Sequence, residues 1–236
     1  MARNIVVVPT FNEQENIVQL VDAVFNSTAA CDLLVVDDNS PDGTGKTVDE
    51  LCVDRPGLQV LHRPQRMGLG SAYLDGFRRV LEQGYDHVFS MDADLSHDPR
   101  YLSDFLQAIT THDVVVGSRY LTGVSVVNWP IWRLALSVTA NAYARVVTGL
   151  PVRDCTSGFQ CFRADVLRQI HLDAIRTNGY SFLIELKYRA LRAGYSVGEI
   201  PIIFVDRRRG TSKITRREIY ASIATVWKLR LGLYRE

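Results

Sequence analysis

The sequence lacks the long apolar run from which a membrane-spanning helix is built. No window of its 236 residues approaches the ~20 uninterrupted apolar residues that such a helix needs. The best candidate, residues 129–150, is interrupted by Arg133, Asn141 and Arg145. Residues 1–4 lead straight into a strand-like apolar run, so we expect no signal peptide. A cytoplasmic protein is predicted, with attachment to a membrane surface left open.

Cysteine and histidine are scarce, and neither occurs in a pattern that indicates metal binding or nucleophilic catalysis. The four cysteines show no zinc-type pairing, so we expect small core residues in a reducing compartment. The five histidines have no metal spacing, and no Ser-His-Asp or Cys-His arrangement is evident, so each is predicted to be structural. These residues are Cys31, Cys52, Cys155, Cys161, His62, His87, His97, His112 and His171.

The two common glycine motifs for phosphate binding are also missing. Gly43-x-Gly45 falls short of G-x-G-x-x-G, and no G-x-x-x-x-G-K-[ST] occurs. The sequence therefore lacks the motifs that usually indicate NAD-dependent hydride transfer or P-loop phosphoryl transfer.

Net charge is small but unevenly distributed. The chain carries 27 Lys and Arg against 26 Asp and Glu, which gives +1. Residues 1–105 sum to −9, residues 106–205 to +4 and residues 206–236 to +6. A chain that begins acidic and ends basic indicates a function divided along its length.

Strand-like and helix-like segments alternate through the first half. Apolar runs predict strands over residues 5–8, 33–36, 58–62, 87–91 and 114–117. Helices are predicted to begin at Asn12, after Gly45, at Gly68 and at Asp98. This alternation is typical of an α/β fold with a mostly parallel sheet wrapped by helices. Ligands bind beyond the carboxyl ends of such strands, where this chain gathers its polar residues.

The second half is less regular. We predict helices over residues 131–148, 180–193 and 214–233, the last being amphipathic. Strands are predicted over residues 159–163 and 196–205, and Pro201 should confine the latter to an edge or a bulge.

Asp92-Ala93-Asp94 follows the fourth predicted strand and is the sharpest chemical feature. Carboxylates two residues apart on an extended chain point the same way, and hard oxygen donors suit Mg²⁺ or Mn²⁺. Such an ion often completes its shell with substrate phosphates and water. The alternative is a pair of helix-capping or solvated acids. Their place on the same edge as Asp37-Asp38 favours the metal.

Asp37-Asp38 follows a buried strand in the same manner. A carboxylate there can accept hydrogen bonds from ribose hydroxyls or base N–H groups. The alternative is an Asx-turn that only organises the following loop. Both can hold at once if the two side chains point in different directions.

The predicted helix over residues 131–148 carries one polar stripe. Arg133, Ser137, Asn141 and Arg145 recur every four residues on an otherwise apolar helix. The simpler interpretation is a solvated face. The alternative is a helix at a membrane surface whose stripe holds an anionic headgroup.

A basic run with glycine and small hydroxyl residues occupies positions 206–213. Such a run is flexible and can fold over phosphates. A solvated or nucleic-acid-binding run is the alternative. Nucleic acid is disfavoured because the first half is acidic and no basic stripe is interleaved with aromatic residues.

Six motifs in order carry a resemblance to a known family. They are V-P-T-F-N-E at 8–13, V-D-D-N-S-P-D-G-T at 36–44, D-A-D-L-S-H-D-P at 92–99, G-S-R-Y at 117–120, D-C-T-S-G-F at 154–159 and R-x-x-G-x-S-K at 207–213. Together they resemble family-2 glycosyltransferases of the GT-A fold, most closely the dolichol- or polyprenol-phosphate mannose synthases. The resemblance implies one catalytic domain over residues 1–236. Residues 1–119 would form its nucleotide-sugar half, and residues 120–236 an acceptor half with amphipathic membrane-facing helices.

The resemblance also implies inverting transfer of mannose from GDP-mannose to a polyprenyl monophosphate, with Mg²⁺ or Mn²⁺. The implied nucleotide-sugar contacts are Pro9, Phe11, Glu13, Val36, Asp38, Asp92, Ala93, Asp94, Arg207 and Lys213. The implied metal residues are Asp92, Asp94 and Ser96, the last where the family often has glutamine. The implied acceptor-phosphate residues are Arg119, Arg133 and Ser137. The implied catalytic residues are Asp92, Asp94, Arg119 and Lys213.

Many family members carry C-terminal transmembrane helices, and this sequence resembles the compact form without them. We expect peripheral contact with the cytoplasmic face of a membrane, or a separate membrane-anchoring protein. One alternative is a polyprenyl-phosphate transferase that uses a UDP-sugar such as UDP-glucose. Another is an inactive nucleotide-sugar-binding regulatory subunit, which would not need both donor and acceptor groups.

Overall fold

The computed structural model describes residues 2–175, 177, 179–206 and 216–233. The strands are β1 (Asn4–Thr10), β2 (Asp32–Asp37), β3 (Leu58–His62), β4 (His87–Ser90), β5 (Val114–Ser118), β6 (Val126–Val127), β7 (Gln160–Arg163), β8 (Val197–Pro201) and β9 (Phe204–Val205). The α-helices are α1 (Ile17–Phe25), α2 (Thr44–Cys52), α3 (Leu69–Glu82), α4 (Leu102–Ala108), α5 (Ile131–Thr148), α6 (Ala164–Gln169), α7 (Tyr180–Arg192) and α8 (Arg216–Arg230). Two 3₁₀ helices cover Pro99–Tyr101 and Leu172–Ala174.

Within the described residues, seven strands form one sheet in the order β3-β2-β1-β4-β7-β5-β8. β7 runs antiparallel to both of its neighbours, and the other neighbouring strands of this sheet are parallel. Because β1, β2, β4 and β5 point the same way, their carboxyl ends open at one edge. The mostly parallel α/β sheet predicted from the sequence is confirmed.

Helices cover both faces of this sheet. Val6 and Val7 of β1 belong to two separate apolar clusters, one on each face. On one face α3 lies so close that a Cβ at Gly76 would come within 2.6 Å of Val7 Cγ1. This double coverage explains why the strands read as continuous apolar runs in the sequence.

Helix α1 begins at Ile17, and the predicted start at Asn12 is wrong. Asn12 has a φ of 59° and donates its backbone N–H to Ser40 Oγ at 3.1 Å. Glu13 donates its N–H to Thr44 Oγ1 at 3.0 Å. The segment before α1 is thus tied to the loop after β2, and those bonds replace the predicted helix start.

The single strand predicted over residues 196–205 is two strands in different sheets. β8 ends at Pro201 on the outer edge of the large sheet, as the proline predicts. β9 pairs with β6 in a separate two-stranded sheet. Between them the Ile202 N–H donates to the Ser118 carbonyl at 3.0 Å, where the chain leaves the large sheet. The short elements β6 and α6 have no counterpart in the prediction.

Helix α5 turns most of its polar stripe toward the protein. Asn141 is buried, and Arg133 and Ser137 are partly buried, so the interpretation as a solvated face is wrong for these three residues. Arg145 of the stripe is exposed. Several large apolar side chains of α5 are exposed as well, and they include Ile131 (85% exposed), Trp132 (68%), Val138 and Val146 (81%). None of the helices within the described ranges has the length and apolar character required to cross a bilayer.

Candidate active site

Predicted site residues that are far apart in the sequence meet at the carboxyl edge of the sheet. Asp38 follows β2, Asp92 follows β4 and Arg119 follows β5. Because β7 is antiparallel, the preceding loop, residues 154–159, reaches the same edge. A Cβ placed on Gly158 would lie 3.6 Å from Asp92 Oδ1, so this loop packs against that carboxylate.

Local hydrogen bonds hold the turn that carries Asp92 and Asp94. Asp94 Oδ1 accepts from Ser96 N at 3.1 Å and from Ser96 Oγ at 2.5 Å. Asp92 donates its backbone N–H to His97 Nδ1 at 3.1 Å. Leu95 takes a left-handed φ of 60° between them, a conformation that non-glycine residues rarely adopt. Ser96 is buried and orients Asp94, and its own contact with a metal stays a prediction.

The side chain of His97 packs under the protein surface and stabilises this turn. Its buried ring stacks on Phe159 with 5.0 Å between the ring centres. Burial lowers its pKa and outweighs the opposing charge of Asp92, so the neutral ring can accept at Nδ1. His97 therefore has a structural role in this turn. Its position three residues after Asp94 is the feature of the sequence that links it to the turn.

Asp92 and Asp94 suit a divalent cation. The Asp92 side chain is 40% exposed and can reach a ligand. Among the described residues, no group of three or more His, Cys, Asp or Glu side chains could hold a metal ion. Two carboxylates fit an ion that takes further ligands from substrate phosphate and water. Arg207 and Lys213, predicted to meet the same diphosphate, lie outside the described residues.

Asp37 organises the turn after β2. Its Oδ1 accepts from Thr10 Oγ1 at 3.0 Å and from Ser40 Oγ at 2.6 Å. Its Oδ2 accepts from Ser40 N at 3.0 Å. The Asx-turn interpretation therefore holds for Asp37.

Asp38 holds the loop after β3. Its buried carboxylate accepts from Arg63 Nη1 at 2.6 Å and from the N–H groups of residues 67–68 at 3.0 and 3.1 Å. The same loop places the Arg66 guanidinium 4.1 Å from the centre of the Phe11 ring. This loop covers the predicted nucleoside side of the site, and contact between Asp38 and a nucleoside stays a prediction.

The other predicted nucleoside contacts differ in accessibility. Pro9 is partly buried, and the Glu13 carboxylate accepts from Asn16 Nδ2 at 2.8 Å. Val36 is fully buried in the core, so its side chain does not reach a nucleoside and any contact falls to its backbone. Ala93 is 4% exposed, so it too offers mainly backbone.

Asp154 fixes Arg119 in place. The Asp154 oxygens accept from Arg119 Nε and Nη2, each at 2.6 Å, and Nη2 also donates to Thr156 Oγ1 at 2.8 Å. Burial acts to raise the Asp154 pKa, but the charge and hydrogen bonds of Arg119 outweigh it, and the pKa lies below its ordinary value. Three aromatic rings lie within 5.5 Å of the same guanidinium carbon, namely Tyr120, Trp129 and Phe204.

Arg133 is the second predicted arginine for the acceptor phosphate. Its guanidinium carbon lies 4.3 Å from the centre of the Trp129 ring, so one indole contacts both arginines. Arg133 Nη1 also donates to Asp206 Oδ2 at 2.7 Å, a carboxylate that sequence reasoning did not connect to this arginine. Ser137 lies one helical turn further and accepts from the Tyr120 hydroxyl at 2.7 Å.

Lys187 is a buried cation of the same region that the sequence did not single out. Its Nζ donates to the Ser157 carbonyl at 3.1 Å and so supports the 154–159 loop. Burial lowers its pKa to about 8, against the opposing charges of Asp154 and Glu199. A lysine among the apolar residues of a predicted helix gives no pattern that distinguishes it from a surface lysine.

Comparison with known protein families identifies the chain. A family model described as Glycosyl transferase family 2 matches residues 5–171, well over half of the sequence. The chain belongs to glycosyl transferase family 2. The site just described therefore lies in the catalytic fold of this family-2 glycosyltransferase.

Two curated relatives of this family-2 glycosyltransferase cover almost its whole length. Polyprenol monophosphomannose synthase of Mycolicibacterium smegmatis is 44% identical over 232 residues, which is 97% of this chain and 88% of the relative. Undecaprenyl-phosphate mannosyltransferase of Micrococcus luteus is 43% identical over 230 residues, which is 98% of this chain and 95% of the relative. The predicted resemblance to polyprenol-phosphate mannose synthases is confirmed.

Solved structures match this family-2 glycosyltransferase in fold. Glucosyl-3-phosphoglycerate synthase from Mycobacterium tuberculosis, with Mn²⁺, UDP-glucose and phosphoglyceric acid, superposes with a TM-score of 0.65 at 19% identity, covering 98% of this chain and 80% of its own. A mannosyltransferase from Pyrobaculum calidifontis, with GDP-Man and Mn²⁺, gives 0.59 at 17% identity, covering 96% of this chain and 69% of its own. The predicted GT-A fold is confirmed.

Proposed function

We propose that this chain transfers mannose from GDP-mannose to a polyprenyl monophosphate, with inversion at the anomeric carbon. The observation that carries the proposal is that a carboxylate pair and an arginine pair share one edge of the sheet. The loop of residues 154–159 connects them, because Gly158 lies against Asp92 while Asp154 binds Arg119. The names of its relatives at 44% and 43% identity support mannose as the sugar and a polyprenyl phosphate as the acceptor.

The carboxylate pair serves the donor. Asp92 and Asp94 would hold Mg²⁺ or Mn²⁺ against the diphosphate. The bound ion would neutralise the charge that develops on the leaving GDP. Ser96 and His97 fix the two ends of the turn, so the carboxylates are oriented before substrate arrives.

The arginine pair serves the acceptor. A phosphate oxygen is already anionic near neutral pH, so the nucleophile does not require a strong general base. Arg119, Arg133 and Ser137 would position that oxygen toward the anomeric carbon. His97 Nδ1 accepts from the Asp92 backbone N–H, so this nitrogen is not available as a base for the step.

The apolar surface of α5, which consists of Ile131, Trp132, Val138 and Val146, would contact the membrane that holds the acceptor. These side chains are exposed on the helix that also carries Arg133. An amphipathic helix in this position can bury its apolar face in the headgroup region of the cytoplasmic leaflet. The protein would then bind the lipid bilayer directly. The alternative is attachment through a separate membrane-anchoring protein.

A liposome flotation assay tests this placement. We expect the wild-type protein to float with liposomes and Trp132→Glu to float much less, with an unchanged melting temperature. Gln169→Glu, at an exposed position on α6, adds the same single negative charge and is the matched control. If the wild-type protein stays at the bottom of the gradient with both anionic and neutral liposomes, the peripheral placement is wrong.

Transfer of radiolabelled mannose into the organic phase tests the reaction itself. Wild-type protein with Mg²⁺ or Mn²⁺, GDP-mannose and a short polyprenyl phosphate should give a labelled lipid, and UDP-glucose should not replace the donor. Arg133→Ala should raise the acceptor KM with little change in the KM for GDP-mannose. Arg145→Ala, an exposed arginine on the same helix, is its control.

The same assay separates the alternatives. Transfer from UDP-glucose rather than GDP-mannose would replace the donor assignment, and a thermal-shift comparison of the two nucleotide sugars would show it independently. Binding of a nucleotide sugar without transfer to any polyprenyl phosphate would favour the regulatory subunit.

A further inference from the structure

The indole nitrogen of Trp129 is an unsatisfied donor in the acceptor region. Among the described residues, Trp129 Nε1 is one of few buried side-chain polar atoms with no hydrogen-bond partner. Buried donors in proteins are nearly always paired, because an unpaired donor has lost its hydrogen bonds to water without replacement. A donor kept in that state calls for a ligand that pairs with it.

The surroundings of Trp129 indicate what that ligand is. The guanidinium carbons of Arg133 and Arg119 lie 4.3 Å and 5.4 Å from the centre of its ring. Phe204 packs edge-on against the ring, with 5.5 Å between the centres. The two guanidinium groups beside this ring are paired with Asp154 and Asp206, and an anion with several acceptor oxygens can bind to them where it displaces Asp206 from Arg133.

An anion already occupies part of this region. The Asp206 carboxylate accepts from Arg133 Nη1, and both side chains are largely buried. A carboxylate has two oxygens, whereas a monophosphate has three terminal oxygens. The additional oxygen of a phosphate can therefore meet a further donor in this region, such as the Trp129 N–H.

We propose that the Trp129 N–H is a third donor to the acceptor phosphate, beside Arg119 and Arg133. The assignment rests on the proposed function and adds a specificity-determining residue to it. The indole donor is neutral, so it adds direction rather than charge. Because the Nε1 atom is buried, its hydrogen bond forms at lower effective dielectric, where it is stronger than in water.

Indole NMR signals report on this contact without an activity assay. The chain has three tryptophans, Trp129, Trp132 and Trp227, so ¹⁵N labelling gives three indole N–H signals that single Trp→Phe variants assign. Titration with a short-chain polyprenyl phosphate should shift the Trp129 signal downfield. The matching polyprenol, which lacks the phosphate, should leave it in place even where the lipid chain moves the Trp132 signal.

A further titration separates the two sources of phosphate. GDP with Mg²⁺ should leave the Trp129 signal unchanged, because the proposed ligand is the acceptor headgroup. Inorganic phosphate should shift it in the same direction as the lipid, at higher concentration. An equal shift with GDP would assign the anion to the donor and overturn the proposal.

Kinetics give the second measurement. Trp129→Phe keeps an aromatic ring beside both arginines but removes the N–H, so the acceptor KM should rise about tenfold. Replacement by benzothienylalanine, which has the shape of tryptophan without the N–H, should give the same rise and excludes a packing effect. Trp227→Phe, a half-exposed position on α8, should leave the acceptor KM unchanged.

The outcomes distinguish this inference from the proposed function. If the wild-type protein makes the labelled lipid but the Trp129 signal does not move and Trp129→Phe keeps its acceptor KM, the third donor is refuted alone. If the wild-type protein neither transfers mannose nor binds polyprenyl phosphate, the proposed function fails and the third donor fails with it.

Discussion

Replacing Asp154 with asparagine tests whether one buried carboxylate holds Arg119, the proposed acceptor arginine, in place. Asp154 is fully buried, and its oxygens accept from Arg119 at 2.6 Å. Asp154→Asn keeps the shape of the side chain but leaves Arg119 buried without its counter-charge. Losing one partner of a buried ion pair costs about 3–5 kcal/mol. We expect the free energy of unfolding to fall by about that amount, and the acceptor KM to rise.

A double-mutant cycle isolates the pair from the rest of the fold. Arg119→Met and Asp154→Asn are measured singly and together by urea unfolding, with the slope m as a check that compactness is unchanged. Because the double variant leaves neither charge buried alone, it should be less destabilised than the sum of the two by about 0.5–3 kcal/mol. Asp165→Asn, an exposed acid on α6, should have little effect.

The pH dependence of the free energy of unfolding tests the same interaction. The Asp154 pKa is lowered in the folded protein, so the unfolded chain binds more protons at acidic pH. The advantage of wild type over Asp154→Asn should therefore be complete at neutral pH and shrink as the pH falls below the ordinary carboxyl range. If the variant unfolds at the wild-type urea concentration and keeps its acceptor KM, the reasoning is refuted.

Three other substitutions have definite expected outcomes. Asp94→Ala should abolish transfer even at saturating Mn²⁺. Asp98→Ala, which removes a 3₁₀-helix cap and an ion pair with the exposed Arg100, should keep most of the activity, and equal activities of the two variants would exclude the metal role. Lys187 has a pKa near 8 in the folded protein and 10.5 in the reference state, so the unfolded chain binds the extra proton between these values. The free energy of unfolding of wild type should therefore rise by up to about 3 kcal/mol relative to that of Lys187→Met between pH 8 and pH 10.5. A constant difference between the two proteins over this range would contradict the prediction. Asp206→Asn should lower the acceptor KM severalfold, because the carboxylate competes with phosphate for Arg133; a raised KM would mean that Asp206 positions the arginine instead.

The sequence predicted the strands that position the site because each is buried on both faces. Their apolar runs end where the polar motifs begin, so the sequence alone predicts that Asp38, Asp92 and Arg119 lie at one edge of the sheet. The start of α1 could not be placed in this way. Asn12 is a good helix cap by composition, but its N–H bonds to Ser40, 28 residues away, which only the folded chain reveals.

The partners of the site residues were the second gap. The sequence shows the motif that contains Asp154, but its contact with Arg119 depends on the antiparallel direction of β7. The sequence also shows the polar stripe of α5, but not that most of the stripe turns inward while Trp132 is exposed. Local sequence does not show that Lys187 is buried. Contacts between distant segments set all three outcomes.

The position of β7 has a consequence for protein engineering. β7 comes from the second half of the chain, yet it lies between β4 and β5 from the first half. A chimera joined at residues 119 and 120 would therefore replace an interior strand of the sheet together with the loop of residues 154–159. Under the proposed function, donor and acceptor specificities could then not be exchanged as separate segments. New acceptors are better sought by grafting the loop before β7 and helix α5 onto an intact sheet.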